Sequence, residues 1–365
     1  MKKRIVVLPG DGIGREVTAE GKRVLQEIAR AFGHTFEFPE GTIGHEAIEK
    51  TGSALPDDTL ALLRSADAIL FGAVGHPKYD NDPSLPVRPE QGLLKMRKEL
   101  GLYANLRPSK LFDELLGASS IKPEILRGSD ILFFRELTGD VYFGEKGKQN
   151  DGKTAYDVMI YHEYEVERIA HKAFQAARTR RKKLTSVDKA NVLESSRLWR
   201  RVVQEVGRKY PDVTLEHEFV DAMAMKLIQQ PSRYDVVVTG NLFGDILTDE
   251  ASQIAGSMGM LASASVGDTV GLYEPIHGSA HDITGKGIAN PLASILSAAL
   301  MLEISFGWKE EAEAVVGAVR KTLAAGYRTA DIADARTPKE NILNTRGMGD
   351  RVVSQFVPKP VFIAL

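Results

Sequence analysis

Residues 68–74 read AILFGAV, an apolar run that no charged or hydroxyl-bearing side chain interrupts. A strand with one solvated face alternates apolar and polar residues, whereas an unbroken run is typical of a strand that is buried on both faces. Such strands belong to parallel sheets that carry helices on both sides. The run therefore predicts a central strand of an α/β protein.

The sequence on either side of this run alternates between short apolar segments and longer, mostly amphipathic ones. Five further segments, most of them apolar, predict strands, at residues 4–8, 130–134, 184–187, 214–220 and 235–239. Four longer segments predict helices, at residues 15–32, 163–178, 291–306 and 310–324. In the first of these, apolar residues recur on one face at helical spacing. This alternation predicts an α/β architecture with a mostly parallel sheet.

The composition limits the class of protein. The 365 residues, 43% of them hydrophobic, are enough for two domains of roughly 150 residues or more each. A formal net charge of −2 gives no reason to expect binding to nucleic acid or to an anionic membrane. The absence of cysteine excludes disulfides, thiolate zinc sites and a cysteine nucleophile.

Neither a secretion signal nor a membrane span is predicted. The apolar residues 5–8 are followed at once by PGDG, so the run is well short of a signal-peptide core. The longest uncharged apolar stretch, residues 288–302, is shorter than the roughly 20 residues that a span needs. We therefore expect a cytoplasmic protein.

Residues 9–14, PGDGIG, lie between the first predicted strand and the first predicted helix. A Rossmann fingerprint would require glycine or alanine where Arg15 stands. The segment is better explained as a tight strand-to-helix turn. The backbone N–H groups of such a turn can still line a cofactor site.

Acidic residues follow two of the predicted strands. Asp245 and Asp249, in NLFGDILTDE, lie four residues apart, so both carboxylates project from one face of a helix. Paired hard oxygen ligands suit Mg²⁺ or Mn²⁺, but one capping and one solvated aspartate would explain the spacing equally well. Asp221 taken alone is better explained as an N-cap, and the two methionines after it are expected in the core.

Basic residues also stand at the ends of predicted elements. Arg97, Arg107 and Arg135 could each bind a carboxylate through the planar guanidinium fork. Any one of them taken singly is better explained by a structural ion pair, but three beside an acidic metal site favour a small polycarboxylate substrate. The basic run at residues 178–183 is expected to face solvent at a helix C-terminus.

Three further segments could carry chemistry. Tyr142 and Lys189 could donate and accept a proton, and a nearby cation would lower the pKa of both. A packed tyrosine and an exposed lysine are the preferred explanations for either residue alone. Residues 277–291 form a small-residue loop, in which Asp282 could accept from a ribose diol and favour NAD over NADP. The alternative is a plain surface loop that caps the next helix.

Seven segments, in this order, resemble the β-hydroxyacid oxidative decarboxylases, the family of the 3-isopropylmalate and isocitrate dehydrogenases. They are LPGDGIG (8–14), GLLKMRKELGLYANLRP (92–108), RELTGDVYFGE (135–145), VDKANVL (187–193), VDAMAM (220–225), NLFGDILTDEAS (241–252) and EPIHGSAHDITGKGIANP (274–291). Together they span nearly the whole chain, which makes the combination specific where any single segment would not be.

The resemblance implies a two-domain α/β fold that is not a Rossmann fold. Residues 1–102 and 256–365 would form the first, cofactor-binding domain. Residues 103–255 would form the second domain, which carries substrate, metal and dimerisation surfaces. The mostly parallel sheet would continue into this second domain. The resemblance further implies a homodimer in which each active site takes the partner subunit's Lys189 and the partner subunit's Asp221.

The resemblance also assigns roles to residues. It implies a Mg²⁺ or Mn²⁺ site made by Asp221, Asp245 and Asp249. It implies catalytic roles for Tyr142 and Lys189, and substrate binding by Arg97, Arg107, Arg135, Asp221, Glu90, Leu93 and Leu94. It implies that NAD lies between loops 75–90 and 277–290. The NAD contacts would come from Ile13, Gly75, His76, Pro77, His277, Gly278, Ser279, Ala280, Asp282 and Asn290.

The substrate implied is 3-isopropylmalate, which would be oxidised at its hydroxyl group and then decarboxylated. Isocitrate relatives place serine and asparagine where this chain has Gln91 and Leu93, and an apolar pocket suits a branched alkyl group. The chain departs from the family's usual residues at four positions, namely His76, Tyr79, Asp140 and His281. Three of them lie near the expected cofactor site.

Other functions remain open on the sequence. Homoisocitrate, isocitrate or tartrate are alternative substrates within the same reaction class. A non-catalytic metabolite-binding regulatory subunit would share the scaffold but typically loses the metal acids or the catalytic pair, which this chain keeps. A metal-dependent hydrolase would use the two aspartates and leave the 277–290 loop unexplained.

Overall fold

The computed structural model describes residues 1–82 and 84–356. The chain forms two compact units and visits the first of them twice. Unit 1 contains residues 1–100 and the described residues from 257 onward, and unit 2 contains residues 101–256. These boundaries fall within two residues of those that the resemblance implies.

Twelve strands form in the described residues. They are β1 Lys2–Gly10, β2 Thr35–Glu37, β3 Ala68–Ala73, β4 Ala104–Lys110, β5 Asp130–Glu136, β6 Lys146–Gln149, β7 Thr154–Asp157, β8 Lys183–Asp188, β9 Thr214–Phe219, β10 Val236–Thr239, β11 Ala262–Val266 and β12 Gly271–Pro275. Each of the six predicted strands is present, with ends that shift by up to two residues.

Fourteen α-helices accompany these strands in the same residues. They are α1 Gly14–Phe32, α2 His45–Thr51, α3 Asp57–Arg64, α4 Pro77–Asp80, α5 Pro89–Glu99, α6 Pro123–Leu126, α7 Glu163–Thr179, α8 Glu194–Gly207, α9 Val220–Gln229, α10 Asn241–Glu250, α11 Ser252–Ala255, α12 Leu292–Ile304, α13 Lys309–Ala324 and α14 Thr345–Ser354. The four predicted helices correspond to α1, α7, α12 and α13. In the described parts of the chain, no helix is long and apolar enough to cross a bilayer.

Unit 1 is built on the strand order β2-β1-β3-β12-β11. Strand β1 pairs in parallel with β2 and β3, β3 pairs in parallel with β12, and only β11 runs antiparallel to its neighbour. Every residue of β3 is buried, as the run at 68–74 predicts. The order differs from the 3-2-1-4-5-6 arrangement of a Rossmann sheet.

The turn between β1 and α1 requires glycine at two positions. Gly10 and Gly12 have φ values of +68° and +57°, in the left-handed region that favours glycine. A Cβ atom on Gly12 would overlap the carbonyl oxygen of Ser279. The predicted strand-to-helix turn is therefore confirmed, and it brings residues 9–14 against the loop that follows β12.

Unit 2 is built on the strand order β4-β5-β10-β8-β9. Strands β5, β10, β8 and β9 pair in parallel, and β4 runs antiparallel to β5. A single apolar core includes Phe133 of β5, Val237 of β10, Met223 of α9 and Leu247 of α10. The expected α/β class with mostly parallel pairing is confirmed in both units, and α9 and α10 are anchored on the sheet through their buried faces.

Candidate functional site

The two aspartates of the NLFGDILTDE segment lie one turn apart on α10. The helix begins after Gly240, which is its N-cap residue, so neither Asp245 nor Asp249 caps it, and that explanation of the spacing is wrong. The Tyr142 hydroxyl donates to Asp245 Oδ2 at 2.6 Å, and the Arg135 guanidinium donates to Asp245 Oδ1. The acidic pair is therefore held from β5 and from the turn that follows it.

Two arginines balance the charge of this acidic pair. Arg107 Nη1 lies 3.6 Å from Asp249 Oδ1, and Arg107 Nη2 lies 3.7 Å from Asp245 Oδ1. Burial alone would raise the pKa of Asp245, but Arg135, the Tyr142 hydroxyl and Arg107 together lower it below its ordinary value. Burial raises the pKa of Asp249, and the neighbouring Asp245 charge adds to this increase. We name Asp245, Asp249, Arg107, Arg135 and Tyr142 the acidic cluster.

The acidic cluster fits a divalent cation by its donor chemistry. Carboxylate oxygens one helical turn apart are ligands that Mg²⁺ and Mn²⁺ accept, with further positions left to water and substrate. The Asp249 side chain is 58% exposed, so its oxygens are accessible. Within the described residues of one chain, no three histidine, aspartate or glutamate side chains converge as a metal site.

Tyr142 lies in a short 3-10 turn, Asp140–Tyr142, directly after β5. Burial raises the pKa of its phenol, and the hydrogen bond to Asp245 raises it further. The direction is opposite to the lowering expected beside a cation, because the protein's own neighbour here is an anion. The phenolic hydroxyl is accordingly the donor in its hydrogen bond with Asp245.

Lys189 and Asp221 form a second pair in unit 2. Lys189 Nζ donates to Asp221 Oδ1 at 2.7 Å, and this hydrogen bond lowers the pKa of Asp221. Strand β9 ends at Phe219, which is the N-cap of α9, so Asp221 sits inside the first helical turn and the N-cap interpretation of it is wrong. Its side chain is 66% exposed, and it accepts from the lysine that is expected to act beside it.

Arg97 lies on α5 in unit 1 and is buried. Its Nη2 donates to Glu274 Oε1 at 2.9 Å, which matches the structural ion pair considered for each arginine. Its Nε is buried and has no hydrogen-bond partner within the described residues. Glu90, Leu93 and Leu94 share its helix face, because they precede it by seven, four and three residues. The face therefore combines a donor that lacks a partner among the described residues with two half-buried leucines.

Several of the expected cofactor residues come together in unit 1 around Gly75. Ile13 N–H donates to the Ser279 carbonyl at 2.9 Å, and the Ile13 side chain packs with Ala280. A Cβ atom on Gly75 would lie 3.2 Å from both Ser279 Oγ and Glu90 Oε1. The turn at 9–14, the segment after β3 and the loop after β12 therefore share one small region.

The remaining residues of the expected cofactor set differ in exposure. Asp282 and Gly278 are exposed, as is Pro77 at the start of α4. His277 is half-buried, its Nε2 has no partner within the described residues, and burial lowers its pKa. Asn290 is buried and donates to Asp331 Oδ2 at 3.0 Å. The exposed Asp282 carboxylate is accessible to a ribose diol, whereas Asn290 is already partly engaged.

A protein-family model described as "Isocitrate/isopropylmalate dehydrogenase" matches residues 4–352. The chain belongs to the isocitrate/isopropylmalate dehydrogenase family. This confirms the resemblance that the seven segments indicate, and the fold that follows from it.

Individual relatives of the family support the same placement. The 3-isopropylmalate dehydrogenase of Shouchella clausii is 57% identical over 364 residues, which cover 98% of this chain and 99% of that protein. The 3-isopropylmalate dehydrogenase of Aquifex aeolicus is 55% identical, over 91% of this chain and 92% of that protein. Isocitrate dehydrogenase from Methylococcus capsulatus superposes with a TM-score of 0.85 at 33% identity, over 97% of this chain and 99% of that one.

Several residues that support the family site escaped the sequence analysis. Asn241 Oδ1 accepts from Arg135 Nε at 3.0 Å and from Nη2 at 2.8 Å. Asp140, with φ at +73°, accepts from the Leu242 N–H at 3.1 Å and so joins the Tyr142 turn to the start of α10. Asn241 is the first residue of a helix that follows a buried strand, and this position could have identified it from the sequence as a site residue. Asp140 was noted only as a departure.

Two other predictions made outside the site are wrong in part. Met223 is buried as expected, but the side chain of Met225 is exposed on α9. Arg180, in the basic run, does not face solvent as expected. It donates from Nε to the buried Asp235 at 2.8 Å and from Nη2 to Asp130 Oδ1 at 2.8 Å. The run therefore contributes a structural ion pair at the start of β5 and β10.

Proposed function

We propose that the chain catalyses the NAD-dependent oxidative decarboxylation of 3-isopropylmalate to 4-methyl-2-oxopentanoate and CO₂, a step of leucine biosynthesis in the cytoplasm. By its family and its relatives it is a decarboxylating dehydrogenase. One observation carries the assignment of the site. Asp245 binds Tyr142 and Arg135 while Asp249 lies one turn further along α10.

The proposed reaction has two stages, an oxidation and a decarboxylation. The hydroxyl-bearing carbon would give up a hydride, which NAD⁺ would accept when bound, and the hydroxyl oxygen would give up its proton, which would leave a 2-oxo acid. The bond to the β-carboxylate then breaks, CO₂ departs, and the electron pair remains as an enolate that takes up one proton. The first stage needs a base and the second needs an acid and a means of stabilising negative charge.

Residues of both subunits would hold the divalent cation. Asp245 and Asp249 would bind it together with the partner's Asp221, the set of ligands that the family resemblance implies. A bound Mg²⁺ or Mn²⁺ stabilises the negative charge that develops on the substrate oxygens.

The chain's own side chains would bind the substrate and move its protons. Arg97, Arg107 and Arg135 would take carboxylate oxygens, and the buried Nε of Arg97 is a donor that such an oxygen satisfies. The partner's Lys189 would remove the hydroxyl proton. Tyr142 would protonate the enolate carbon, a role that suits a hydroxyl whose proton already points at Asp245 of the acidic cluster.

Selection of substrate and cofactor follows from two features of unit 1. Leu93 and Leu94 on the Arg97 face would receive the isopropyl group, and they offer no partner for a third carboxylate. Asp282 would accept from the adenosine ribose diol of NAD and repel a 2′-phosphate. His76, Pro77, Gly278 and the other residues around Gly75 would line the rest of the NAD site.

The homodimer has its own support in unit 2. Met225 on α9 and Ile246 on α10 are exposed, at 60% and 59%, on helices whose opposite faces are anchored in the core. A further exposed pair, Val158 and Ile160, follows the two-stranded β6–β7 sheet. Apolar side chains exposed together on neighbouring helices are typical of an interface. Size-exclusion chromatography with light scattering of Ile246→Glu should show a shift from dimer toward monomer.

One assay tests the proposed function directly. NADH absorbance is followed with 3-isopropylmalate, isocitrate, homoisocitrate and tartrate in turn, each with NAD or NADP and with or without Mg²⁺. We expect the largest kcat/KM with 3-isopropylmalate, NAD and Mg²⁺. Preference for another acid or for NADP would overturn the assignment, and the lack of any turnover would point to a non-catalytic subunit.

A further inference from the structure

The backbone of Gly75 is held from both sides by side chains of other segments. Its N–H donates to Asp11 Oδ2 at 3.0 Å. Its carbonyl oxygen lies 2.6 Å from His281 Nε2, and because a carbonyl can only accept, that nitrogen carries the hydrogen. Gly75 itself is buried, with φ at +132°. We call this arrangement the Gly75 clamp.

The Asp11 side of the clamp is rigid. The carboxylate is buried, and both of its oxygens also lie 3.0 Å from the His45 N–H. The Asp11 N–H in turn donates to the Ala73 carbonyl at 2.7 Å. Asp11 therefore fixes the end of β3 through its backbone N–H, and the start of α2 and Gly75 through its carboxylate. The proposed reaction gives Asp11 no other task.

The His281 side of the clamp is held by stacked rings. His281 meets the His76 ring edge-on, with centroids 4.6 Å apart. His76 stacks on His45 at 3.9 Å, and His45 Nδ1 lies 3.1 Å from the Tyr79 hydroxyl. These contacts restrict the His281 ring to an orientation in which Nε2 points at Gly75.

We propose that Asp11 and His281 are positioning residues that preorganise the NAD site by fixing the Gly75 backbone. The inference rests on the proposed function, because it takes residues 75–77 and 277–282 as the walls of that site. Gly75 lies against Ser279 and Glu90, so a rotation of its peptide groups would displace the backbone that faces the cofactor. A loop that is already ordered loses less conformational entropy when NAD binds, so the affinity for NAD is higher.

The clamp predicts a specific pattern of defects. Loss of the His281 hydrogen bond should weaken NAD binding roughly three- to tenfold, the range expected for one net hydrogen bond. The kcat at saturating NAD and the KM for 3-isopropylmalate should change much less, since His281 touches no reacting atom. A general loss of structure would move all three constants together.

The experiment is calorimetric titration of NAD into wild type, His281→Leu and His281→Gln, with melting temperatures and full kinetics for each. His281→Leu removes the donor, and His281→Gln restores an N–H near the same position. We expect weaker NAD binding for the leucine variant and affinity near wild type for the glutamine variant. His171→Leu is the matched control, since His171 pairs with Tyr210 in unit 2 and should leave NAD binding unchanged.

Several outcomes would overturn the clamp. They are unchanged NAD affinity in His281→Leu, no rescue by His281→Gln, or an equal loss in kcat and in both substrate constants. If the leucine variant does not fold, Asp11→Asn serves in its place, and it should weaken NAD binding in the same selective way. A wild type that binds NAD without turning over 3-isopropylmalate would refute the proposed function alone. A wild type that binds no NAD would refute both.

Discussion

Different kinds of contact stabilise the acidic cluster of unit 2 and the Gly75 clamp of unit 1. In the acidic cluster, charged side chains hold one another, as Arg135 and Tyr142 hold Asp245. In the clamp, side chains hold a backbone, as Asp11 and His281 hold Gly75. Removing one charge from a buried set leaves its partner unpaired, whereas removing a hydrogen bond to backbone costs about one hydrogen bond. Substitutions in the cluster should therefore have the larger effects.

We expect Asp245→Asn to have the largest effect. A smaller effect than that of the substitutions in the Gly75 clamp would contradict the comparison. The substitution removes a proposed metal ligand and leaves the buried Arg135 without its carboxylate, so kcat/KM should fall by on the order of a thousandfold. Steady-state kinetics over a range of Mg²⁺ concentrations measure the loss. The matched control is Glu250→Gln. Glu250 lies on the same helix but is not a member of the acidic cluster, so this variant should keep most of the activity.

Tyr142→Phe should come next. It deletes the proton that we assign to the enolate carbon, and general acids typically contribute about 10²- to 10⁴-fold to a rate. The kcat for decarboxylation should fall by an amount in that range, while the Mg²⁺ concentration for half-maximal activity should change little. Unchanged turnover in the phenylalanine variant would remove Tyr142 from the acid role.

Gly12→Ala tests the backbone side of the comparison. An alanine at this position would have to adopt the left-handed φ of Gly12, which is unfavourable for a residue with a side chain. Its methyl group would also overlap the Ser279 carbonyl, so the turn or the loop after β12 must move. We expect a loss of about 1–3 kcal/mol in the free energy of unfolding and weaker NAD binding. Gly317→Ala is the control, because Gly317 lies in α13 with no atom near its Cβ position, and alanine there should stabilise slightly. Equal melting temperatures for Gly12→Ala and wild type would contradict the account.

The smallest effect expected is a dependence of stability on pH through His76. Burial lowers the pKa of His76, and the neighbouring His45 and His281 lower it further, with Lys78 also lowering and Asp11 raising it. Its Nδ1 accepts from the Lys78 N–H at 3.1 Å, so protonation would replace an acceptor with a donor.

The sign follows from that lowered pKa. Stability is fully present above the ordinary histidine value of 6.5 and is lost as the pH falls from there through the lower pKa of the folded state. Denaturant unfolding of wild type and His76→Asn between pH 8 and pH 5 should show a smaller acid loss in the variant, because asparagine can cap the same helix without titrating. Parallel curves for the two proteins would contradict this prediction.

The two methionines of α9 show what helical spacing can distinguish and residue type cannot. Met223 and Met225 lie two residues apart in one apolar segment, yet one is in the core and the other is exposed. Burial of Met225 was expected only because methionine is usually a core residue. Helical spacing separates the two methionines, because Met223 belongs to the apolar stripe that packs in the core and Met225 does not. The stripe comprises Val220, Met223, Ala224, Leu227 and Ile228.

The sequence by itself determined the α/β class, the buried strand β3, the turn that needs glycine at Gly10 and Gly12, and the spacing that places two aspartates on one helix face. Each of these depends on neighbouring residues, because strand and helix periods and left-handed turns are local properties of the chain. The family motifs added the roles proposed for those residues.

Only the tertiary structure decided which side chains meet. Arg97 pairs with Glu274, 177 residues away, and His281 reaches the Gly75 carbonyl from a loop 206 residues further along the chain. Such contacts depend on strand order and on the direction of each side chain as it leaves its element, and neither is written in local periodicity. Asp140 was therefore seen in sequence only as a departure, whereas in the fold it joins the Tyr142 turn to α10.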